Sequence, residues 1–299
     1  MEDQRTITKQ QIEKDIANKR YNPMNDVLFK FIFGRDERKN ITIDLLNAIL
    51  NRTGEQAIKD IQFKNSEIVP FYEDEKLTRL DIFCVTENET KIDVEVQLIN
   101  KKDMERRSLF YWSQMYLMGL NKGDDYITLN PAFTINILGH KIFPGEPLHS
   151  MYSIYNIETG RRLNEDMELH FLEVPKFKKK SINKMTRMER WLAYFSNKLN
   201  DTEMEELIMS DAAIKNAVND TGIFMQDMEE RLRYINRQMA IMDYNTDMRV
   251  SREEGREEGR AEMANDMALA MLRDNKPIEE IIKYTGLTTE QIQKLTKKI

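Results

Sequence analysis

Residues 80–99 constrain the fold most, because they form two candidate β-strands joined by a short polar turn. The second run, residues 91–99, alternates apolar and polar residues, which is the period-2 pattern of a strand with two different faces. The polar face of this run carries Asp93, Glu95 and Gln97. If the two strands pair as a hairpin, Asp81 near the start of the first strand lies close to Glu95 near the end of the second.

This polar face has two interpretations. A row of polar side chains on a strand is most simply a solvated sheet face. Alternatively, Asp81 and Glu95 form a pair that lacks a counter-charge, so that each raises the pKa of the other and a bound cation is favoured. Ligation by oxygen atoms alone suits Mg²⁺ or Mn²⁺. The hairpin by itself leaves both interpretations open.

Composition excludes several classes of site. The 299 residues include three histidines and one cysteine, which is poor material for a zinc site or a Cys/His nucleophile. The net charge of −6 gives no overall attraction to nucleic acid, so DNA binding requires a local basic patch.

Cys84 has no partner for an internal disulfide, and neither a secretion signal nor a membrane span is recognisable. We therefore expect a cytoplasmic protein.

The order of predicted elements indicates an α/β (α+β) fold. Helical spacing of apolar residues predicts helices over residues 22–34 and 40–51, and a strand is expected within residues 58–70. After the hairpin, the pattern predicts a long helix over residues 103–120 and strands over residues 133–139, 151–157 and 167–174. This order predicts a central mixed sheet flanked by helices. On the long helix, Tyr111, Trp112 and Tyr116 are interpreted as core residues, with stacking on nucleic-acid bases as the alternative.

Changes in composition divide the chain into four segments. Residues 1–20 are interpreted as a loose polar arm, and residues 21–178 as the sheet-containing core. Residues 179–248 form a charged, methionine-rich helical extension, followed by a C-terminal region over residues 249–299. The boundary near residue 178 lies in a basic stretch that is either a solvated face or a DNA contact, comprising Lys178, Lys179, Lys180, Lys184, Arg187 and Arg190.

The C-terminal region carries the only internal repeat in the sequence. Arg-Glu-Glu-Gly occurs at residues 252–255 and again at 256–259, which aligns the arginines along one side of a helix. Each glycine costs about 1 kcal/mol relative to alanine, so we expect this helix to need a partner and to mediate self-association, as in a homodimer. Two short helices follow, over residues 277–284 and 289–297. They fit either a helix-turn-helix or a small packing or dimerisation module.

The acidic hairpin belongs to a longer series of segments that resembles a known family. Asp81 and Glu95-Val96-Gln97 follow the order D-x(n)-[DE]-x-K of PD-(D/E)xK nucleases, with glutamine in place of lysine. Further matching segments are residues 25–34, 45–50, 80–82, 94–97 and 107–113, and the C-terminal repeat with residues 285–287. Over residues 22–299 the chain resembles the Rpn family, the PD-(D/E)xK recombination-promoting nucleases that are also labelled transposases.

The resemblance implies a restriction-endonuclease-like core and Mg²⁺-dependent DNA endonuclease activity, with Mn²⁺ as a possible substitute ion. In the family this activity is connected with recombination, mobile elements or phage defence. The implied roles are metal binding for Asp81 and Glu95, and the third catalytic position for Gln97. A lysine at this third position orients the attacking water and offsets negative charge, whereas Gln97 can only orient the water. The missing positive charge therefore comes from the metal or from a lysine or arginine elsewhere in the chain, or it is not replaced at all.

Several residues are candidates for supporting roles. Arg107 on the following helix is the first candidate for a phosphate contact, with Lys101 and Lys102 as further candidates and the basic stretch Lys178–180 as a possible DNA-binding surface. Asp26 corresponds either to the acidic residue that the superfamily often places on its first helix or to a helix N-cap. The alternative to an endonuclease is a catalytically weak or inactive DNA-binding or assembly protein on the same fold.

Overall fold

The computed structural model describes residues 4–68 and 78–296 and contains a six-stranded mixed sheet between two layers of helices. The helices are α1 (Gln4–Ala17), α2 (Asp26–Phe33), α3 (Lys39–Ile49), α4 (Met104–Leu117), α5 (Arg187–Ser196), α6 (Asp201–Ser210), α7 (Ala212–Gln226), α8 (Met228–Arg273), α9 (Ile278–Thr285) and α10 (Thr289–Thr296). The strands are β1 (Ile61–Phe63), β2 (Glu67–Ile68), β3 (Thr78–Arg79), β4 (Ile82–Thr86), β5 (Lys91–Gln97), β6 (Ala132–Leu138), β7 (His149–Tyr152) and β8 (Met167–Glu173).

The main sheet has the strand order β1-β4-β5-β6-β8-β7, and β2 pairs with β3 in a separate two-stranded ribbon. β4 and β5 form the predicted antiparallel hairpin, in which Ile82 lies opposite Val94. β5, β6 and β8 are parallel, and α4 connects β5 to β6. The outer strands β1 and β7 are antiparallel to their neighbours. The predicted mixed sheet with a restriction-endonuclease-like arrangement is therefore confirmed.

The larger core fills one face of the sheet. Ile92, Val94 and Val96, the apolar set of the alternating strand, are buried together with apolar residues of α2, α3, α5 and α7. α2 is almost entirely apolar and begins at Asn25, whose side chain accepts hydrogen bonds from the backbone N–H groups of Val27 and Leu28. Burial of this helix places its C-terminal turn near the start of the hairpin.

The other face of the sheet is covered by α4. Tyr111 and Met115 pack with Phe83 of β4 in a small apolar cluster, and Met104 packs with residues of β6 and β8. Trp112 stacks on Tyr116 with ring centroids 5.0 Å apart. The interpretation of these aromatic residues as packing residues is confirmed, and the polar side of β5 lies beneath a helix.

Two predictions of local structure are wrong. The N-terminal segment is not a loose arm over residues 4–17, because these residues form α1 and bury Ile12 and Ile16 in the core. The strand predicted at residues 151–157 instead begins at His149 and ends at Tyr152. Beyond it the chain forms a turn closed by an isolated bridge between Tyr155 and Arg162. Residues 69–70 of the strand expected within 58–70 lie outside the described residues.

The chain divides into two compact units, Met1–Ile241 and Met242–Ile299, with the boundary inside α8. The second unit has its own small core, in which Ala268 packs with residues of α9, α10 and the turn between them. That turn contains Gly286 with φ +69°, a left-handed conformation that ends α9. The two short helices are confirmed. None of the described helices is both long and apolar enough to cross a lipid bilayer.

Candidate active site

The hairpin brings Asp81 and Glu95 into direct contact. The backbone N–H of Asp81 donates a hydrogen bond to Oε1 of Glu95 at 2.9 Å, and the backbone N–H of Val96 donates to Oδ2 of Asp81 at 3.1 Å. Each carboxylate is thus fixed to the backbone of the other strand segment through one of its two oxygens. The juxtaposition expected from the pairing of the two strands is present.

The other oxygen of each carboxylate faces a side-chain cation. Lys30 of α2 places Nζ 2.9 Å from Oδ1 of Asp81, and Arg107 of α4 places Nη2 2.7 Å from Oε2 of Glu95. The acid pair therefore does not lack a counter-charge, contrary to what its sequence context suggested. These cations come from the two helical layers on opposite faces of the sheet.

A third carboxylate lies beside this pair. Asp93 is fully buried on the same side of β5 as Glu95, and neither of its carboxylate oxygens has a hydrogen-bond partner among the described residues. Its pKa is raised well above the ordinary value by burial and then by the charges of Glu95 and Asp81. The interpretation of this strand face as solvated is therefore wrong for Asp93 and Glu95, because α4 covers both residues.

The cluster is short of positive charge. Burial, followed by repulsion from Asp81, raises the pKa of Glu95 to about 8, although Arg107 and Lys30 both act in the opposite direction. Three carboxylates thus share two side-chain cations. A divalent cation would relieve this repulsion, so the charge balance and the all-oxygen donor set fit a hard ion such as Mg²⁺.

Few of the described side chains are placed where they could bind a metal ion. No group of three or more His, Cys, Asp or Glu side chains is arranged as a metal site within residues 4–68 and 78–296. Mg²⁺ in phosphoryl-transfer sites is commonly held by one or two carboxylates, with water and substrate phosphate completing its shell. Asp81 and Glu95 meet that requirement if the metal replaces Lys30 at Oδ1 of Asp81 and shares the Glu95 carboxylate with Arg107.

Arg107 is held in place by several groups. Its Nε donates to the hydroxyl of Tyr111 at 2.8 Å, and its Nη1 lies 3.4 Å from Oε1 of Gln97. Burial raises the pKa of Tyr111 to about 12, so this hydroxyl stays neutral at physiological pH. Arg107 therefore belongs to the site, as its position after the hairpin suggested, but its contacts are with protein groups.

Gln97 lies at the edge of the same cluster. Its Nε2 donates to the carbonyl oxygen of Ile99 at 3.0 Å, while its Oε1 faces Arg107. Both ends of the amide therefore have partners. Orientation of an attacking water by Gln97 stays a prediction.

Asp26 makes no hydrogen bond or ion pair to Asp81 or Glu95 within the described residues, and its support of the site stays a prediction. The N-cap of α2 is Asn25, so the N-cap interpretation of Asp26 is wrong. The Asp26 carboxylate instead accepts a hydrogen bond from Nε of Arg237 at 2.6 Å, which connects the start of α2 to α8. Its contact indicates a structural role.

The lysines proposed for DNA contact lie in two separate segments of the chain, residues 101–102 and 178–180. Lys101 and Lys102 are exposed in the connection between Gln97 and α4. In the stretch Lys178–180, Lys178 is exposed, whereas Lys179 and Lys180 form ion pairs with Glu203 and Glu189 at 2.6 and 2.7 Å. These ion pairs join the basic stretch to α6 and α5. DNA binding by any of these five lysines stays a prediction.

Sequence reasoning missed Lys30 and the burial of Asp93. Lys30 is the only basic residue in the helix Asp-Val-Leu-Phe-Lys-Phe-Ile-Phe, and a lysine in the middle of six apolar residues is a signal that could have identified it. Asp93 gave no such signal, since an acidic residue on a polar strand face is ordinary. Its burial depends on where α4 packs.

The fold and the site together define a class of protein. A mixed sheet whose hairpin joins an aspartate to a Glu-x-Gln segment 14 positions later has the architecture of a PD-(D/E)xK nuclease. The chain belongs to the family described as PD-(D/E)XK nuclease family transposase, whose sequence profile matches residues 23–251. This match confirms the family resemblance. No curated protein and no solved structure matches the chain.

Proposed function

We propose that this protein is a metal-dependent DNA endonuclease that hydrolyses phosphodiester bonds. The observation that carries the proposal is the contact of Asp81 and Glu95 in a chain of this nuclease family: the Glu95 carboxylate accepts from the backbone N–H of Asp81, and the Asp81 carboxylate accepts from the N–H of Val96, which follows Glu95. Nucleases of this class generally use divalent metals. The buried excess of carboxylates beside the pair supports Mg²⁺, or Mn²⁺, as the ion here.

In this mechanism, Asp81 and Glu95 would hold the ion. The bound ion would act as a Lewis acid toward the phosphate and lower the pKa of a coordinated water. Hydrolysis forms a bond from the water oxygen to phosphorus and breaks the bond to the leaving sugar oxygen, which takes up a proton. Gln97 orients the water, and Arg107 holds Glu95 and contributes positive charge on the α4 side.

Cleavage of supercoiled plasmid DNA with and without Mg²⁺ tests this function. We expect Asp81→Ala and Glu95→Gln to reduce metal-dependent nicking by at least about 100-fold, because each removes a charged ligand from the ion. Asp60→Ala is the matched control, because Asp60 also pairs with a lysine at a helix but lies away from the site. Equal cleavage by the wild type, the Asp81 variant and the Glu95 variant would exclude the proposal.

One observation favours the second candidate, a catalytically weak or inactive DNA-binding or assembly protein. All four oxygens of Asp81 and Glu95 have protein partners, and both ends of the Gln97 amide are occupied. Isothermal titration distinguishes the candidates. Binding of Mg²⁺ or Mn²⁺ that is lost in Asp81→Ala supports the endonuclease, whereas no binding to the wild type supports the second candidate.

The C-terminal region supports self-association as a homodimer. Residues 247–263 of α8 are exposed throughout, and this stretch contains Gly255 and Gly259. An isolated helix with interior glycines is marginal in water, so a partner helix would stabilise it. The alternating Arg and Glu rows are self-complementary, so a second copy is a suitable partner. Two active sites in one dimer would suit cleavage of both DNA strands.

Light scattering on full-length protein tests this assembly. Replacing Arg252, Arg256 and Arg260 by Glu should convert a dimer into a monomer through like-charge repulsion. Mixing this variant with one carrying Glu253→Arg and Glu257→Arg should restore the dimer mass. A monomeric wild type, or a triple variant with unchanged mass, would contradict self-association through the repeat.

We propose a cellular setting for the protein from its membership of the nuclease family. It comprises a cytoplasmic location and participation in recombination, mobile elements or phage defence. The segment boundaries 21–178, 179–248 and 249–299 likewise stay predictions.

A further inference from the structure

Lys30 lies at the acid pair although it is 51 positions before Asp81 in the chain. Its Nζ is 2.9 Å from Oδ1 of Asp81, the outer oxygen of that carboxylate. Close packing places the Lys30 turn against the start of β4. A Cβ atom added at Gly34 would lie 2.8 Å from the Lys30 carbonyl oxygen and 3.6 Å from Cγ1 of Ile82. The 3.6 Å separation is an ordinary van der Waals contact, so the end of α2 packs against the residue that follows Asp81.

The two cations of the site differ in the number of groups that hold them. Arg107 contacts Glu95, Gln97 and Tyr111, and its side chain is 25% exposed. The Lys30 side chain is 41% exposed, and Asp81 is its only ion-pair partner in the part of the chain that the structure describes. A lysine ammonium on a flexible four-carbon chain can change partners at low cost, whereas a guanidinium held by three groups cannot. Lys30 is therefore the cation that can move toward a substrate.

We propose that Lys30 provides the positive charge that the superfamily places at the position occupied here by Gln97. In the free protein, Lys30 neutralises Asp81 and competes with a metal ion for its outer oxygen. In the working complex, Lys30 exchanges this contact for one with an anionic oxygen of the scissile phosphodiester. There it stabilises the negative charge that develops as water attacks phosphorus. This assignment deepens the proposed endonuclease function and rests on it.

The proposal predicts two effects of opposite sign for Lys30→Met. Loss of the competing cation should tighten Mn²⁺ binding by about 10-fold, because a single favourable charge contact to Asp81 is no longer displaced. Loss of charge at the phosphate should slow DNA cleavage by about 100-fold or more. A purely structural ion pair would not combine tighter metal binding with slower cleavage. Lys30→Arg should retain more cleavage than Lys30→Met, because it preserves the charge.

The test compares Mn²⁺ affinity, measured by titration calorimetry on metal-free full-length protein, with the rate of plasmid cleavage. Lys39→Met is the matched control, because Lys39 also pairs with an aspartate, Asp60, at 2.5 Å and is 39% exposed. The control should leave both quantities unchanged. Circular dichroism establishes that each variant is folded, and Lys30→Gln, which also removes the charge, supplies both readouts if Lys30→Met does not fold.

The outcomes separate this assignment from the proposed function. Cleavage by Lys30→Met within about twofold of the wild type overturns the assignment and leaves the endonuclease function intact. Unchanged Mn²⁺ affinity in the variant also overturns it. If the wild type cleaves no DNA, the proposed function fails, but tighter Mn²⁺ binding by Lys30→Met still supports Lys30 as the cation that competes for this site.

Discussion

Acidification should destabilise the protein through His149, which lies on the edge strand β7. His149 Nε2 is 3.0 Å from Nδ1 of His170, and Nε2 of His170 is 3.0 Å from Oε2 of Glu168. Because the Glu168 carboxylate accepts, His170 donates to it through Nε2, and His170 Nδ1 shares one proton with His149 Nε2. Burial, and then repulsion from His170, lowers the pKa of His149 from 6.5 to about 4.

The unfolded chain binds a proton at His149 at a higher pH than the folded chain does. Between pH 6.5 and 4 the unfolded chain protonates His149 while the folded chain keeps it neutral, so the free energy of unfolding falls as the pH falls. At pH 5.0 the loss relative to pH 7.5 is about 2 kcal/mol from this group alone, and it approaches about 3 kcal/mol below pH 4. Above pH 6.5 the contribution vanishes, because both states are neutral.

Urea unfolding of the wild type and His149→Gln at pH 7.5 and 5.0 measures this contribution. Tryptophan fluorescence is a suitable signal, because Trp112 and Trp191 both lie in the unit Met1–Ile241. Glutamine can either donate to His170 or accept from it, but does not titrate. The stability lost on acidification should be about 2 kcal/mol smaller in the variant. Equal losses in the two proteins would refute the assignment of a neutral, partly buried His149.

Three further substitutions probe the elements that build the site. Asp93→Val should raise the free energy of unfolding by about 1–3 kcal/mol in urea titrations, because it removes a buried carboxyl group without a hydrogen-bond partner; a lower stability would show that Asp93 has a partner. Asn25→Ala should lower the stability by about 1–2 kcal/mol, since it removes the N-cap of α2 and a buried hydrogen bond to the Tyr234 carbonyl oxygen; an unchanged urea midpoint would count against this. Gly34→Ala should lower the melting temperature and slow DNA cleavage, because its Cβ would be 2.8 Å from the Lys30 carbonyl oxygen; wild-type values for both would mean that the Lys30 turn does not depend on this glycine.

The hairpin and the surrounding elements were predictable because their patterns are local. Alternation along β5 identified the buried set Ile92, Val94 and Val96, and the polar turn identified the connection to β4. Antiparallel pairing then placed Asp81 beside Glu95. The failures have equally physical causes. The polar composition of residues 1–20 concealed the burial of Ile12 and Ile16, which only the packing of α1 against the core produces.

The sequence by itself determined the mixed sheet, the acidic hairpin, the family and the pair of short C-terminal helices, because each depends on the residue order within one segment or on a series of family segments. Only the tertiary structure decided the electrostatics of the site. Lys30 and Arg107 approach the acid pair from helices packed on opposite faces of the sheet, and α4 buries Asp93. Charge interactions depend on distance and burial in space, so a lysine 51 positions away along the chain can become the counter-charge of Asp81.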